Sequence, residues 1–234
     1  MGTQSLKHRI QIFYDHYHSQ RLRAPHQEQL QRIWSLFSGR VLEVGAGRWL
    51  WQNPSPHDYV VVDFSHIAME RAMEDGALAV LADGEFLPFD DGEFDTVACH
   101  DVLEHVVDPQ RFLHEMCRVS RAKVICGGPN YVGMRYAPGL DRYLACTLLE
   151  FLRDRGGQWH RLDDAYLSFD EGWHPDRDAV SAVNARWVER ELRRHGCTIR
   201  GVGTWSDRYS WLDRMPLIRY LGPFMLVIGD KRVG

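Results

Sequence analysis

The chain has 234 residues, of which 44% are hydrophobic and 26% charged, and a formal net charge of -4. That length and balance suit one globular α/β domain with decorations, and they exclude a low-complexity chain. The acidic balance excludes a general nucleic-acid binder, which carries a basic excess. No apolar run reaches the length of a membrane span, and the N-terminus is polar with no signal region, so a cytoplasmic protein is expected.

In chain order, residues 4–20 form an amphipathic segment rich in aromatics and histidines, including Ile10, Phe13, Tyr14, Tyr17 and His18. Leu30, Ile33, Trp34 and Phe37 fall at helical spacing and predict a helix over 26–37, with Gly39 as its stop. Apolar runs predict strand one at 41–44 and strand two at 59–62, and Ser65 is a suitable cap for a helix over 65–74. Strands three and four are expected at 77–81 and 94–99. Pro109 suits the first turn of the next helix, and Val124 to Cys126 predicts strand five. From 131 to about 175 the pattern loosens, with a helical stretch at 140–153 broken by Gly156 and Gly157 and a turn-rich loop at 170–175. This reads as a cap inserted over the carboxyl edge of the sheet. A helix over 178–195 and strands at 197–204 and 224–229 complete the chain. The expected organisation is a single domain: N-terminal helices at 1–37, a cofactor-binding core at 38–130, the cap at 131–177, and a last helix with a terminal hairpin at 178–234.

Two short runs carry the chemistry. Val41 to Gly47 (VLEVGAG) is an apolar strand ending in an acid and a glycine-rich turn, and Val60 to Asp63 (VVVD) is a second strand ending in an aspartate 20 residues after Glu43. Two such strand tips cradle a nucleoside, because a terminal carboxylate accepts from both ribose hydroxyls and glycines let the backbone approach. A dinucleotide fingerprint needs a third glycine where Leu50 stands, and Pro54 and Pro56 stop a long helix from aiming its amides at a pyrophosphate. A cofactor with a ribose and an adenine but no phosphate fits this turn better.

The order Glu-Val-Gly-Ala-Gly (43–47), Val-Val-Asp (61–63), Ala-Asp-Gly-Glu-Phe-Leu-Pro-Phe (82–89), Phe-Asp-Thr-Val (94–97) and Leu-Glu-His-Val (103–106) resembles class I S-adenosylmethionine-dependent methyltransferases. It is most similar to the small-molecule branch that includes quinone-biosynthesis enzymes. The resemblance covers roughly residues 38–130. It implies a Rossmann-like, seven-stranded, mostly parallel sheet in the order 3-2-1-4-5-7-6 with helices on both faces. Trp49 departs from the family's small residue at that place, which puts the methionine contacts in question.

The resemblance assigns Glu43, Gly45, Ala46 and Gly47 to the methionine end of the cofactor. Asp63 takes the ribose, Phe64 flanks the adenine, and Ala82, Asp83 and Gly84 meet its amino edge. Glu85 reads as a solvated or capping residue. His100, at the tip of strand four where the methyl should point, is both a candidate cofactor contact and the candidate base, with His105 second as a base. The run His100 to His105 lacks both the His-Glu-x-x-His spacing and its inverse, so no metal is expected. Tyr14, His18, Asn130, Tyr131, Trp173 and His174 are the candidate acceptor-binding residues. The expected function is O-methylation of a small molecule in specialised-metabolite or cell-envelope biosynthesis. The alternatives are carbon or nitrogen methylation of a quinone-like metabolite, a protein or RNA methyltransferase, or a non-catalytic cofactor binder. The five scattered cysteines, with no Cys-x-x-Cys, suit reduced thiols. The expected partner is the small-molecule acceptor, and a homodimer is compatible with the chain.

Overall fold

The structure is a computed structural model that describes residues 3–19, 33–47, 59–130, 160–161, 181–203 and 224–231. Its centre is a seven-stranded sheet. The strands are β1 (Val41–Val44), β2 (Tyr59–Asp63), β3 (Leu78–Leu81), β4 (Phe94–His100), β5 (Ser120–Pro129), β8 (Cys197–Gly203) and β9 (Phe224–Lys231). They lie in the order β3-β2-β1-β4-β5-β9-β8, which is the expected 3-2-1-4-5-7-6 once the short pair β6 (His160–Arg161) and β7 (Ser181–Ala182) is set aside. Parallel registers such as Glu43 with Val61 and Leu42 with Val97 bring the tips of β1, β2 and β4 to one edge.

The central strands are apolar because both faces are covered, whereas the edge strand β3 leaves Leu78 and Leu81 exposed. Alternation sends Leu42 and Val44 to one face of the sheet and Val41 and Glu43 to the other. On the first face they join Val60, Val62, Phe94 and Val97 against α3 (Pro109–Val119) and α4 (Ala185–Arg194), which supply Phe112, Leu113, Met116, Val188 and Leu192. On the second, Val41, Tyr59 and Val61 pack on Ala68, Met69 and Ala72 of α2 (His66–Glu74). Each of these three helices begins at a side-chain cap: Ser65 accepts from Ala68, Asp108 from Arg111 and Asn184 from Trp187.

The N-terminal segment is one helix, α1 (Thr3–Ser19), docked by a polar stripe at helical spacing. Lys7 reaches Asp83, Gln11 donates to the Phe64 carbonyl, and Asp15 accepts from the Ser65 hydroxyl at 2.7 Å. Arg71 of α2 donates to the carbonyls of His18 and Ser19, supplying a cation at the helix's C-terminal end. Leu6 and Ile10 bury beside Val107. The helix therefore lies over the tips of β2 and β3.

Some boundaries differ from expectation. Strand five runs from Ser120 to Pro129 rather than over 124–126, because β4 and β9 both pair with it beyond its apolar centre. A register shift between Phe94 and Thr96 absorbs the irregularity. The last helix starts at Ala185, not 178: Asn184 caps it, and Ser181–Ala182 pairs antiparallel with His160–Arg161. Of the expected helix at 26–37, only its end lies among the described residues, where Ile33 and Trp34 are helical and Leu36 closes a turn onto Ile33. The expected cap at 131–177 lies outside them except for His160–Arg161. Among the described residues, no helix is long and apolar enough to cross a membrane. Cys99, Cys117, Cys126 and Cys197 are buried free thiols.

Candidate active site

The turn after β1 is shaped by backbone that only glycine adopts without strain. Gly45 has φ +74° and Gly47 φ +52°. A Cβ on Gly45 would stand 2.5 Å from Val102, and one on Gly47 would stand 2.9 Å from the His18 ring. Gly45 and Ala46 donate to the Val62 carbonyl at 2.8 and 3.1 Å, which pins the turn to the end of β2.

Asp63 organises this edge. Its Oδ2 accepts from Gly47 N–H and its Oδ1 from Ser65 N–H, each at 2.9 Å. A carboxylate offers about four acceptor sites, so roughly two remain for a diol. Phe64 packs on the Leu6, Ile10 and Val107 cluster, so at least part of its ring serves the α1 interface.

Glu43 is fully buried. The Tyr59 hydroxyl donates to its Oε2, and its Oε1 has no hydrogen-bond partner. Burial pushes this carboxyl well above its ordinary value, the Tyr59 hydrogen bond opposes that, and the nearby Asp63 charge adds to it. An orphaned buried acceptor two residues before a glycine turn suits a cationic ligand group.

Asp83 accepts from Glu85 N–H at 2.9 Å and pairs with Lys7 at 2.7 Å. Of the two roles expected of Glu85, the solvated one does not hold. The residue is buried, accepts from Val107 and Asp108 N–H at 3.2 and 3.0 Å, and meets Lys7 at 2.6 Å, so it ties β3's tip to the entrance of α3. Ala82 donates to the Asp63 carbonyl at 3.0 Å and extends the β2–β3 pairing. Gly84 has its missing side chain on the core, where a Cβ would fall 2.3 Å from Phe112 and 2.9 Å from Val44.

At the tip of β4, His100 Nδ1 stands 3.3 Å from Asp101 Oδ2. Asp101 has φ +52°, the one described residue other than glycine with positive φ, and its N–H donates to Gly127 at 3.1 Å. The bend returns its carboxylate beside the preceding imidazole. Gly127 and Gly128 leave room for this: a Cβ on Gly127 would meet the His100 ring at 2.8 Å, and one on Gly128 would stand 3.6 Å from both Asp101 and Glu104. Glu104 is buried, with Oε1 3.4 Å from His105 Nε2.

Tyr14 links the two halves of the site. Its ring lies 5.4 Å from that of His105 and 6.0 Å from that of His18. The structure thus gathers Tyr14, His18, His100 and His105 around the glycine turn and the β4 tip. Asn130 is fully buried and accepts from Ala185 N–H at 3.4 Å, which braces the start of α4. Tyr131, Trp173 and His174, together with Trp49, lie outside the described residues. Sequence reasoning missed Lys7, Tyr59 and the pairing of Asp101 with His100. For Lys7 a signal existed, because Lys7, Gln11 and Asp15 repeat every fourth residue.

The profile of the family described as "Methyltransferase domain" matches residues 42–126. The phosphatidylethanolamine N-methyltransferase of Cereibacter sphaeroides is 38% identical over 159 residues, which cover 63% of this chain and 68% of that protein. An uncharacterised protein of Methanocaldococcus jannaschii is 35% identical over 91 residues, covering 38% of this chain and 44% of its own. The chain thus spans less than half the length of one relative and about two thirds of the other. Among solved structures, the S-adenosylmethionine-dependent methyltransferase of Mesorhizobium loti is similar with a TM-score of 0.59 and 15% identity, over 87% of this chain and 98% of that one.

Proposed function

Because the chain belongs to the class I S-adenosylmethionine-dependent methyltransferases, we propose that it methylates a small-molecule acceptor whose proton is taken up at His100. The observation that carries this reading is the His100–Asp101 pair, where an acceptor's proton has somewhere to go, at the tip of β4, which pairs with β1, the strand that leads into the glycine turn. When bound, S-adenosylmethionine supplies an electrophilic methyl on a sulfonium centre. The chain's residues do the rest.

Glu43 faces the cationic methionine end, and its orphaned Oε1 supports that role. Gly45, Ala46 and Gly47 admit that end by close backbone approach. Asp63 holds the ribose hydroxyls with the acceptor sites that Gly47 and Ser65 leave. Phe64, Ala82, Asp83 and Gly84 surround the adenine, with Lys7 fixing the Asp83 carboxylate. Tyr14 and His18 of α1 cover the site and keep water from it. Positioning of this kind is worth effective molarities of about 10⁵–10⁸ M. His100, oriented by Asp101, accepts the acceptor's proton, a contribution of about 10²–10⁴-fold. His105 with Glu104 is the second such pair. Asn130, Tyr131, Trp173 and His174 belong to the acceptor side of this reading.

An oxygen nucleophile is the first reading of the acceptor, since a hydroxyl needs a base of this kind. A second reading has its own support: the Cereibacter relative is named for transfer to the amine of a phospholipid. The carboxylates of Asp101 and Glu104 near His100 and His105 would also attract an ammonium. Methyl-labelled cofactor offered with a metabolite extract, a lipid extract, a protein mixture and RNA tests the proposal. Label is expected in a small molecule. Label confined to protein or RNA overturns it, and the atom labelled in the product decides between oxygen and nitrogen.

A further inference from the structure

We propose that Glu43 carries a proton in the empty protein and surrenders it to solvent as the cofactor's cationic end binds. The inference rests on the reading that Glu43 meets that end.

Several features of the site converge on it. Glu43 sits in the middle of the sheet with no solvent exposure. Among the described residues its hydrogen bond comes from a neutral group, the Tyr59 hydroxyl, and its other oxygen has none. An ionised carboxylate in such a place lacks the two or three donors that normally hold it charged, so the acid form is favoured. The neighbours on its face do not reverse this. Val41, Val61, Ala68, Met69 and Ala72 are apolar, and the Phe37 ring lies 6.2 Å from that of Tyr59. β2 contributes Asp63, a like charge that disfavours ionisation further. β4 contributes Ala98 opposite Glu43 and, one step higher, His100, while α1 contributes His18 against Gly47. Among the described residues no lysine or arginine pairs with Glu43.

Tyr59 has a defined part in this. It begins β2 opposite Val41, on the same face as Glu43, and its hydroxyl reaches the carboxyl two residues further along β1. It occupies Oε2 and leaves Oε1 as the atom with nothing to bond. An arriving ammonium reverses the balance, because an opposite charge at contact favours the carboxylate. The O–H bond of Glu43 breaks, its proton goes to buffer, and the electron pair stays on the carboxylate. Folding then needs no buried charge, and binding creates one only with its counterion in place.

Calorimetric titration with S-adenosylhomocysteine, which keeps the ammonium and lacks the sulfonium, tests this in phosphate and in Tris at pH 7. The dependence of the heat on buffer ionisation counts the protons released. The expected count is close to one for the native protein and for Tyr59→Phe, and close to zero for Glu43→Gln. Affinity of the native protein should rise up to about tenfold per pH unit between pH 6 and 8. In Glu43→Gln that slope should vanish, which separates Glu43 from His18 and His100. Glu43→Gln should also keep the native melting temperature at pH 7, since an amide replaces a neutral acid. Tight binding with no proton release overturns the inference and leaves the cofactor assignment standing. Equal release from Glu43→Gln overturns it as well. No binding of the probe at all removes both.

Discussion

Lys7 Nζ stands 2.7 Å from Asp83 Oδ2, joining residues 76 apart in sequence, and it meets Glu85 Oε2 at 2.6 Å. One cation therefore fixes α1 to the tip of β3 at the proposed adenine end of the site. Burial alone would lower its pKa, but the hydrogen bonds and charges of Asp83 and Glu85 outweigh that and raise it above its ordinary 10.5. A raised lysine contributes stability that is full below its unfolded value and lost as pH climbs through the folded one. Lys7→Ala should cost about 1–2 kcal/mol at neutral pH, a figure discounted for the pair's partial exposure. The difference between the two proteins should shrink above pH 10.5. Urea unfolding at pH 7 and at high pH measures both, and an unchanged difference would remove the ion pair from the account.

Asp63 and His100 should separate cleanly by role. Asp63 joins the glycine turn, the α2 cap and the proposed ribose contact through one carboxylate. Asp63→Ala removes acceptors for charged-group hydrogen bonds worth about 1.5–3 kcal/mol each. Affinity for S-adenosylhomocysteine should therefore fall about 100-fold or more. His100→Ala should change that affinity little while lowering turnover by about 10²-fold or more. Equal losses of affinity in a binding titration would reverse these assignments.

Much of the frame was legible because it repeats local rules. The apolar runs at β1, β2 and β4, the Ser65 cap and Pro109 in a first turn are short-range signals, whereas the strand order came only as what the resemblance to class I methyltransferases implied. What escaped was long-range. Glu85 reads as a solvated or capping acid in its own neighbourhood, and only the fold brings Lys7, Val107 and Asp108 to it. Tyr59 reads as the start of a strand, and nothing local says that its hydroxyl reaches the Glu43 carboxyl. The helix expected from 178 failed because Asn184 competes as a cap, while the neighbouring pair Ser181–Ala182 finds a strand partner.

The loop from Phe86 to Gly92 depends on a brace of the same distant kind. Arg118 donates to Glu115 through two nitrogens at 2.9 Å each and to the carbonyls of Leu87 and Phe89 at 2.9 and 2.8 Å. Glu115 in turn accepts from Leu87 N–H at 2.9 Å. The Arg118 hydrogen bond lowers the Glu115 pKa, burial opposes it, and the Leu87 N–H adds to the lowering. A lowered carboxyl contributes stability present above its unfolded value of 4.5 and lost as pH falls through the folded one. Glu115→Gln should cost about 1–2 kcal/mol at pH 7, discounted because Arg118 is partly exposed and keeps Asp91 at 2.8 Å as a second charged partner. The gap should narrow below pH 4.5 in thermal melts. A constant gap down to pH 3 would mean that the carboxylate charge is not what holds the loop.

Asp101 tests whether the positive φ at the β4 tip serves the chemistry. A non-glycine residue in that region costs about 1–2 kcal/mol, and such strain persists where a side chain is needed in one place. Here the bend sets Oδ2 3.3 Å from His100 Nδ1. Asn tolerates the same backbone, so Asp101→Asn should keep the melting temperature and the cofactor affinity. It removes the charge that steadies the imidazolium, and turnover should fall about tenfold or more with the cofactor's Kd unchanged. Asp101→Gly should relieve the strain, raising stability by about 1 kcal/mol while losing turnover to a similar degree. A stabilised Asp101→Gly protein with full turnover would show that the bend serves the loop alone and that His100 needs no carboxylate beside it.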